Sequence, residues 1–301
     1  MNLTIRQRRI VWAYSFLSVS LIFFLFIRWY PTLLAVNISF RDWNVFAGSG
    51  EWVGLQNYAD IWEDLFKPRS AVRAAFWNTL RYVLFGVPLQ LVLALGIAML
   101  LGQIRRFAGF FRAAYFVPYV TSFVAVAFVW RWLYQPQIGL LNQIITGLGL
   151  PMQPFLTSPS QALPSITLVA VWRSIGFAII IFLAGLQQIP DMYYEAAQID
   201  GANRWQLFRR ITLPLLNPVI VYLAVLQTIQ FLRMFDLVQN MSTDNAGGPL
   251  KSTTTVVLEV YKEGFSGYNM GYAGALTVIL FLVILLITML QLRVLSRRVD
   301  Y

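Results

Sequence analysis

The chain has 301 residues, of which 58% are hydrophobic, 16% aromatic and 12% charged, where soluble domains carry roughly 25% charged residues, so a water-soluble globular domain is excluded. The formal net charge is +10, but the basic residues flank apolar runs instead of gathering on a polar module of their own, which argues against a nucleic-acid partner. There is no Cys and no His, which removes disulfides, thiolate chemistry, most metal sites and the side chain that titrates nearest neutrality.

About 20 apolar residues are needed to cross the hydrocarbon core of a bilayer, and six runs in the chain meet that length. The first covers residues 11–36. Arg6, Arg8 and Arg9 precede it as they would a signal peptide, but the run continues through Arg28-Trp29-Tyr30 without a small-residue cleavage site. A retained helix kinked near Pro31 is expected. Residues 37–75 are polar and rich in turn formers, with Gly48-Ser49-Gly50 and the acidic Asp60, Glu63 and Asp64, and read as a small irregular cap. Runs at 77–101 and 110–134 follow. Residues 135–162 carry Pro136, Pro151, Pro154 and Pro159, so they form a loop, with a short helix expected around Leu140–Thr146. The remaining spans are 163–187, 214–236 and 271–294. The predicted fold class is therefore an all-α integral membrane protein of six transmembrane helices.

Lys and Arg resist translocation, so their placement predicts orientation. With the N-terminus inside, the inner segments hold Arg6, Arg8, Arg9, Arg105, Arg106, Arg112, Arg204, Arg209, Arg210, Arg293, Arg297 and Arg298. The outer ones hold Arg41, Lys67, Arg69, Arg73, Lys251 and Lys262, and the 135–162 connection holds none. Twelve against six favours both termini and the 188–213 loop in the cytoplasm.

That loop is polar, basic and glycine-broken between two apolar runs. Pro190 can open a short helix, Ala196 and Ala197 would let another surface approach closely, and Glu195 offers a carboxylate to a basic partner. Gly201 permits a positive-φ turn before a second, basic helix over about Arg204 to Thr212 that leads into Pro214. The pattern Glu195, Ala196, Ala197, Asp200, Gly201, Ala202, Phe208, Leu213 and Pro214 resembles the EAA loop of permease subunits in carbohydrate-uptake ABC importers, of the maltose and glycerol-phosphate type. The run Trp52 to Tyr58 resembles a segment common between the first two spans of such permeases. Phe235-Asp236, Gly247-Gly248-Pro249, Thr253 to Thr255, Tyr261, Phe265 and Gly271-Tyr272-Ala273 with Ala275 resemble the segment joining their last two helices.

The resemblance implies a type I importer permease fold, with a first segment (1–67) of one transmembrane helix and a periplasmic cap. A permease core (68–301) would hold five helices and the EAA loop (190–214). It implies a second permease subunit, forming a heterodimer, two ATPase subunits docked at Glu195, Ala196, Ala197, Asp200, Gly201, Ala202, Phe208 and Pro214, and an extracytoplasmic solute-binding protein. Sugar or sugar-derivative uptake across a bacterial or archaeal plasma membrane is the implied activity. The chain itself lacks G-x-x-x-x-G-K-[ST], so it is no enzyme and binds no cofactor; ATP and Mg would belong to the ATPase.

A solute rich in hydroxyls needs polar partners and flat apolar faces near the midplane. In the fifth span Gln227, Gln230, Phe231 and Met234 fall at i, i+3, i+4 and i+7, and in the fourth Arg173, Ser174 and Phe177 form a similar patch beside Trp172. These are the candidate pathway residues, with helix packing as the alternative reading. Arg28, Arg81, Arg131 and Arg233 are expected to snorkel to the interface. An ion-gradient-driven transporter or channel is the alternative function, but acidic residues are nearly absent from the spans. Glu259 and Glu263, at i and i+4 in an external loop, read as a solvated helical face.

Overall fold

A computed structural model describes residues 4–46, 48–104, 106–243 and 247–295. Arg105, Arg297 and Arg298, counted above among the inner charges, lie outside the described residues. By internal contacts the chain divides into two compact units, Met1–Glu63 with Val260–Leu280 and Asp64–Glu259 with Phe281–Tyr301.

In the first unit a Thr4/Gln7 capping box opens α1 (Ile5–Phe24), as the four orphan N–H groups of a helix start require. A π turn, Leu25–Trp29, then leads into α2 (Tyr30–Ile38). In that turn the Tyr30 N–H bonds back to the Leu25 carbonyl, and Pro31, which has no N–H to give, follows at once. The disturbance of the helix therefore lies in the turn before Pro31. Over Ile5–Ile38 the mean hydropathy reaches 2.3 and the apolar window buries nothing within this chain, so the lipid or another subunit must cover it.

The expected irregular cap is regular instead. Strands β1 (Arg41–Asn44) and β2 (Ser49–Trp52) pair antiparallel, with Arg41 opposite Trp52 and Asn44 opposite Ser49, and α3 (Gln56–Phe66) follows. The buried Asn57 amide donates to the carbonyls of Ser39 and Arg41, both at 2.9 Å, while Phe40 stacks on Trp52. Strands of four residues with no β-branched side chain carry little sequence signal, so the hairpin rests on these contacts across the chain.

The second unit is built on α4 (Ala71–Gly102), α5 (Ala108–Val120), α6 (Phe123–Leu133), α7 (Leu140–Gly147) and α8 (Ala162–Gln187). After α8 come α9 (Asp191–Ile199), α10 (Arg204–Leu207), a π turn Phe208–Thr212, α11 (Leu213–Leu215), α12 (Asn217–Leu232) and α13 (Asp236–Met241). Helix α14 (Val256–Tyr261) begins in this unit, and so does the part of α15 (Met270–Leu295) from Phe281 onward. Helix α8 is the centre, packed against α4 and α5 and buried over most of its length. One apolar cluster gathers Tyr82, Ile166, Val169, Leu237 and Met241; another gathers Ala98, Ile179, Phe182, Leu216 and Leu223. The Asn78 amide donates to the carbonyls of Lys251 at 2.8 Å and Thr254 at 3.0 Å, fastening α4 to the entrance of α14.

Among the described residues four helices are long and apolar enough to cross a bilayer unbroken, and the count reaches six if two bent pairs are each one span. The third and fifth predicted spans are these pairs: α5 and α6 meet at 96°, and Arg204–Leu215 meets Asn217–Leu232 at 66°. In the third, Pro118 stands in the last turn of α5 and Thr121 turns extended. In the fifth, Pro214 and Pro218 flank Leu216, and the missing Pro218 N–H removes a bond the ladder would need. Glu259 corrects another expectation. It is 5% exposed, not part of a solvated face, because α14 is drawn inward by Thr79, whose hydroxyl accepts the Val256 N–H at 3.0 Å.

Candidate functional site

Two features of the second unit stand out, a two-armed loop after the end of α8 and a cavity bordered by the middle of the same helix. Three residues separate α8 from α9, and the extended Pro190 caps the N-terminus of α9, with Asp191 in its first turn, where a negative charge is favoured. The helix closes in a Schellman arrangement: the Ala202 N–H reaches the Ala197 carbonyl at 2.9 Å and the Gly201 N–H reaches that of Gln198 at 3.0 Å. This needs a left-handed residue, and Gly201 has φ +80°. A capping box between Asn203 and Gln206 starts α10 immediately afterwards, and the Tyr194 hydroxyl meets that of Thr212 at 3.0 Å, tying the two arms together.

Glu195, Ala196, Asp200 and Gly201 are exposed, Ala197, Ala202 and Phe208 half-buried and Pro214 exposed. Between the arms lies a hollow of about 260 Å³ lined by Ala197, Asp200, Gly201, Ala202, Gln206 and Arg210, among others. Beside it Ile199 is 87% exposed, and Met192 and Trp205 are also exposed. Apolar tips grouped around a charged hollow are the composition of a protein-contact surface.

The cavity, about 470 Å³, has walls from three places: Tyr119 and Phe123 at the bend of the third span, Arg173 and Ser174 on α8, and, where α12 ends, Gln230, Phe231 and the stretch Arg233 to Leu237. Aromatic faces alternate there with polar groups, among them Gln230, Arg233 and Asp236, all exposed. Arg173 is 7% exposed. Its Nη2 donates to the carbonyls of Tyr119 and Thr121, each at 3.0 Å, and its guanidinium lies 3.3 Å from the centroid of the Phe123 ring. Ser174 donates to the Ala170 carbonyl within its own helix at 2.6 Å.

Loop and cavity both fall inside residues 82–301, which match the model of the binding-protein-dependent transport system inner membrane components. The chain belongs to that family. The permease is similar to a probable ABC transporter permease protein of Pyrococcus horikoshii, 34% identical over 91% of this chain and 92% of that one. It is similar also to the sn-glycerol-3-phosphate transport system permease protein UgpA of Yersinia pestis, 30% identical over 95% of this chain and 92% of that one. Its fold matches a crystal structure of a bacterial ABC transporter involved in the import of the acidic polysaccharide alginate, at TM-score 0.81 and 25% identity, covering 97% of this chain and 98% of that one. The type I importer permease fold is thus that of this chain, a multi-pass inner-membrane component and not an enzyme.

Of the pathway candidates in the permease, Arg173, Ser174, Gln230, Phe231 and Met234 line the cavity. Phe177 stands behind that wall, stacked on Tyr119 with ring centroids 5.1 Å apart. Gln227 does not belong to it. The amide is fully buried, without a hydrogen-bond partner, one turn below the equally buried Phe231. The single stripe expected from i, i+3, i+4 and i+7 is split: within α12 Gln227 and Phe231 turn into the packing while Gln230 is exposed, and Met234 lies past the helix end at Leu232, its carbonyl held by the Thr255 hydroxyl at 3.0 Å. Tyr119, Phe123, Arg233 and Asp236 were missed as cavity residues. Asp236 and the prolines around the bends were the available signals, since a break in a span frees backbone only where it lines a cavity or is buried. Exposed Ile199 and Trp205 were legible as apolar residues in an otherwise polar loop.

Proposed function

We propose that the chain is a membrane subunit of an ATP-driven, binding-protein-dependent importer of a sugar or sugar derivative. The observation that carries this reading is the Schellman-closed loop, with its exposed Glu195, Ala196 and Gly201 and its apolar tips, at the end of the helix that forms the cavity wall. Two ATPase subunits, holding ATP and Mg, would dock at the loop, which lies in the cytoplasm. A second, different permease subunit would cover the unburied apolar helices, and an extracytoplasmic solute-binding protein would deliver solute from the other side. The sugar assignment draws support from UgpA and the alginate importer, and from a cavity in which Tyr119 and Phe123 stand beside the polar Gln230 and Asp236.

In this mechanism, closure of the ATPases on ATP moves the docked loops as rigid bodies, and the cavity changes from inward to outward access. Loaded binding protein and ATP must together favour the outward state, since a ligand shifts an equilibrium only by its differential affinity for the two states. The test is ATP hydrolysis by the purified complex with its cognate binding protein and a panel of neutral, acidic and phosphorylated sugars. One class should raise the rate above that of binding protein alone. No stimulation by any of them, in a complex that assembles and hydrolyses ATP, would overturn the sugar reading.

A further inference from the structure

Helix α8 runs unbroken from Ala162 to Gln187 and only three residues join it to α9, a short link through which a displacement of the loop can act on α8. Midway along, α8 grips the third span with three residues on one face, at i, i+3 and i+4. Arg173 bonds the carbonyls of Tyr119 and Thr121; the backbone at Gly176 lies so close to α5 that a Cβ there would overlap the Tyr115 carbonyl; Phe177 stacks on Tyr119.

Arg173 touches each part of the 96° bend in turn: the last turn of α5 at Tyr119, the break at Thr121, and Phe123, the first residue of α6. A cation is well placed there, since the C-terminal carbonyls of α5 have no helical partners and carry the negative end of its dipole. Both Nη2 protons are committed to those carbonyls, and Nε is sealed from solvent. Of the guanidinium nitrogens only Nη1 is left uncommitted toward the cavity, whose exposed polar residues are Gln230, Arg233 and Asp236.

We propose that Arg173 is a positioning residue that carries movement of the 190–214 loop into the bend between α5 and α6, and so into the cavity wall. This rests on the reading that ATPase subunits drive the loop. Arg173→Met should leave the KM for solute in transport unchanged while the solute moved per ATP falls at least about fivefold, the low end of ordinary coupling between sites. Arg173→Lys should restore coupling only in part, because an ammonium can donate to the same carbonyls but does not reproduce the planar stack on Phe123.

The complete complex in vesicles gives both quantities, and two cysteines introduced into this cysteine-free chain, at the exposed positions Val120 and Leu168, accept spin labels that report the joint directly. In the unsubstituted arginine background the label distance should be narrow and shift with nucleotide; in Arg173→Met it should broaden and cease to shift. If that variant does not assemble, Phe123→Leu, which removes the ring under the guanidinium, should broaden the label distance; the distance is the readout for this variant, since Phe123 also lines the cavity. A raised KM at normal coupling, or a narrow and responsive distance without the arginine, overturns the proposal. Absence of solute-stimulated hydrolysis in the wild-type complex counts against the importer reading, while the nucleotide-free label distance still decides whether Arg173 holds the bend.

Discussion

Gly201 is held by conformation and not by space: its φ is +80°, yet a Cβ built there would meet nothing within 4 Å. Strain alone therefore sets the cost of substitution. Gly201→Asn should be tolerated, Gly201→Ala should cost about 1–2 kcal/mol of local stability, and Gly201→Val should break the Schellman closure, since a β-branched residue is poorly accommodated at positive φ. Co-purification of ATPase subunits from detergent should fall in that order, and equal recovery for all three would remove the docking role of the turn. Glu195→Lys, exposed and outside any span, should also lower recovery by opposing the basic partner site expected across the interface. The two glutamines separate in the same way. Gln230 is exposed on the cavity, so Gln230→Leu should weaken transport by the loss of a hydrogen bond, about 1 kcal/mol. Gln227 is buried with no partner for either amide atom, so Gln227→Leu should leave uptake unchanged and the subunit as stable or slightly more so. Reduced uptake in Gln227→Leu with Gln230→Leu at wild-type level would reverse this assignment.

The elements that position the site are broken helices, and each break has a chemical cause within two residues of it. Pro118 and extended Thr121 end α5, and Pro214 with Pro218 bend the fifth span at Leu216. What holds the bent third span against α8 is backbone proximity at Gly176, where a Cβ would collide with the Tyr115 carbonyl and reach 3.0 Å from the Phe116 Cα. Gly176→Ala should force the helices apart at about 1–3 kcal/mol, the usual cost of overpacking, although alanine is the better helix former by roughly 1 kcal/mol. Thermal unfolding of the purified complex measures it. A variant as stable as the parent would mean that α5 and α8 are not in backbone contact.

For the whole chain, the arginine distribution predicts a cytoplasmic loop. A single cysteine at Gln206, in this chain without cysteines, should be reached by an impermeant thiol reagent in inverted vesicles and not in intact cells; labelling from outside cells would reverse the topology. On the proposed pairing of two permease subunits, part of the long apolar face of Ile5–Ile38, none of whose apolar window is buried by this chain, is covered by the second subunit and the rest by lipid. When expressed without a second permease subunit it should accumulate less, and restoring that subunit should recover its yield.

Membership of the membrane, the apolar runs that make four to six spans and the two-armed shape of the loop after α8 were legible in the sequence, for a shared reason. Transfer of apolar length into lipid and resistance of arginine to translocation are additive along the chain, and a Gly201 turn between a small-residue helix and a capping box is settled within a few residues. The cavity was legible only in part. Placing Gln227 and Met234 on one stripe assumed an unbroken helix, whereas the Thr255 hydroxyl, 21 residues beyond Met234, holds the Met234 carbonyl past the helix end. The contact of Arg173 with carbonyls 54 and 52 residues earlier is of the same kind. Such contacts depend on which helices meet and at what angle, and only the tertiary structure decides whether a polar side chain at membrane depth faces solute or another stretch of backbone.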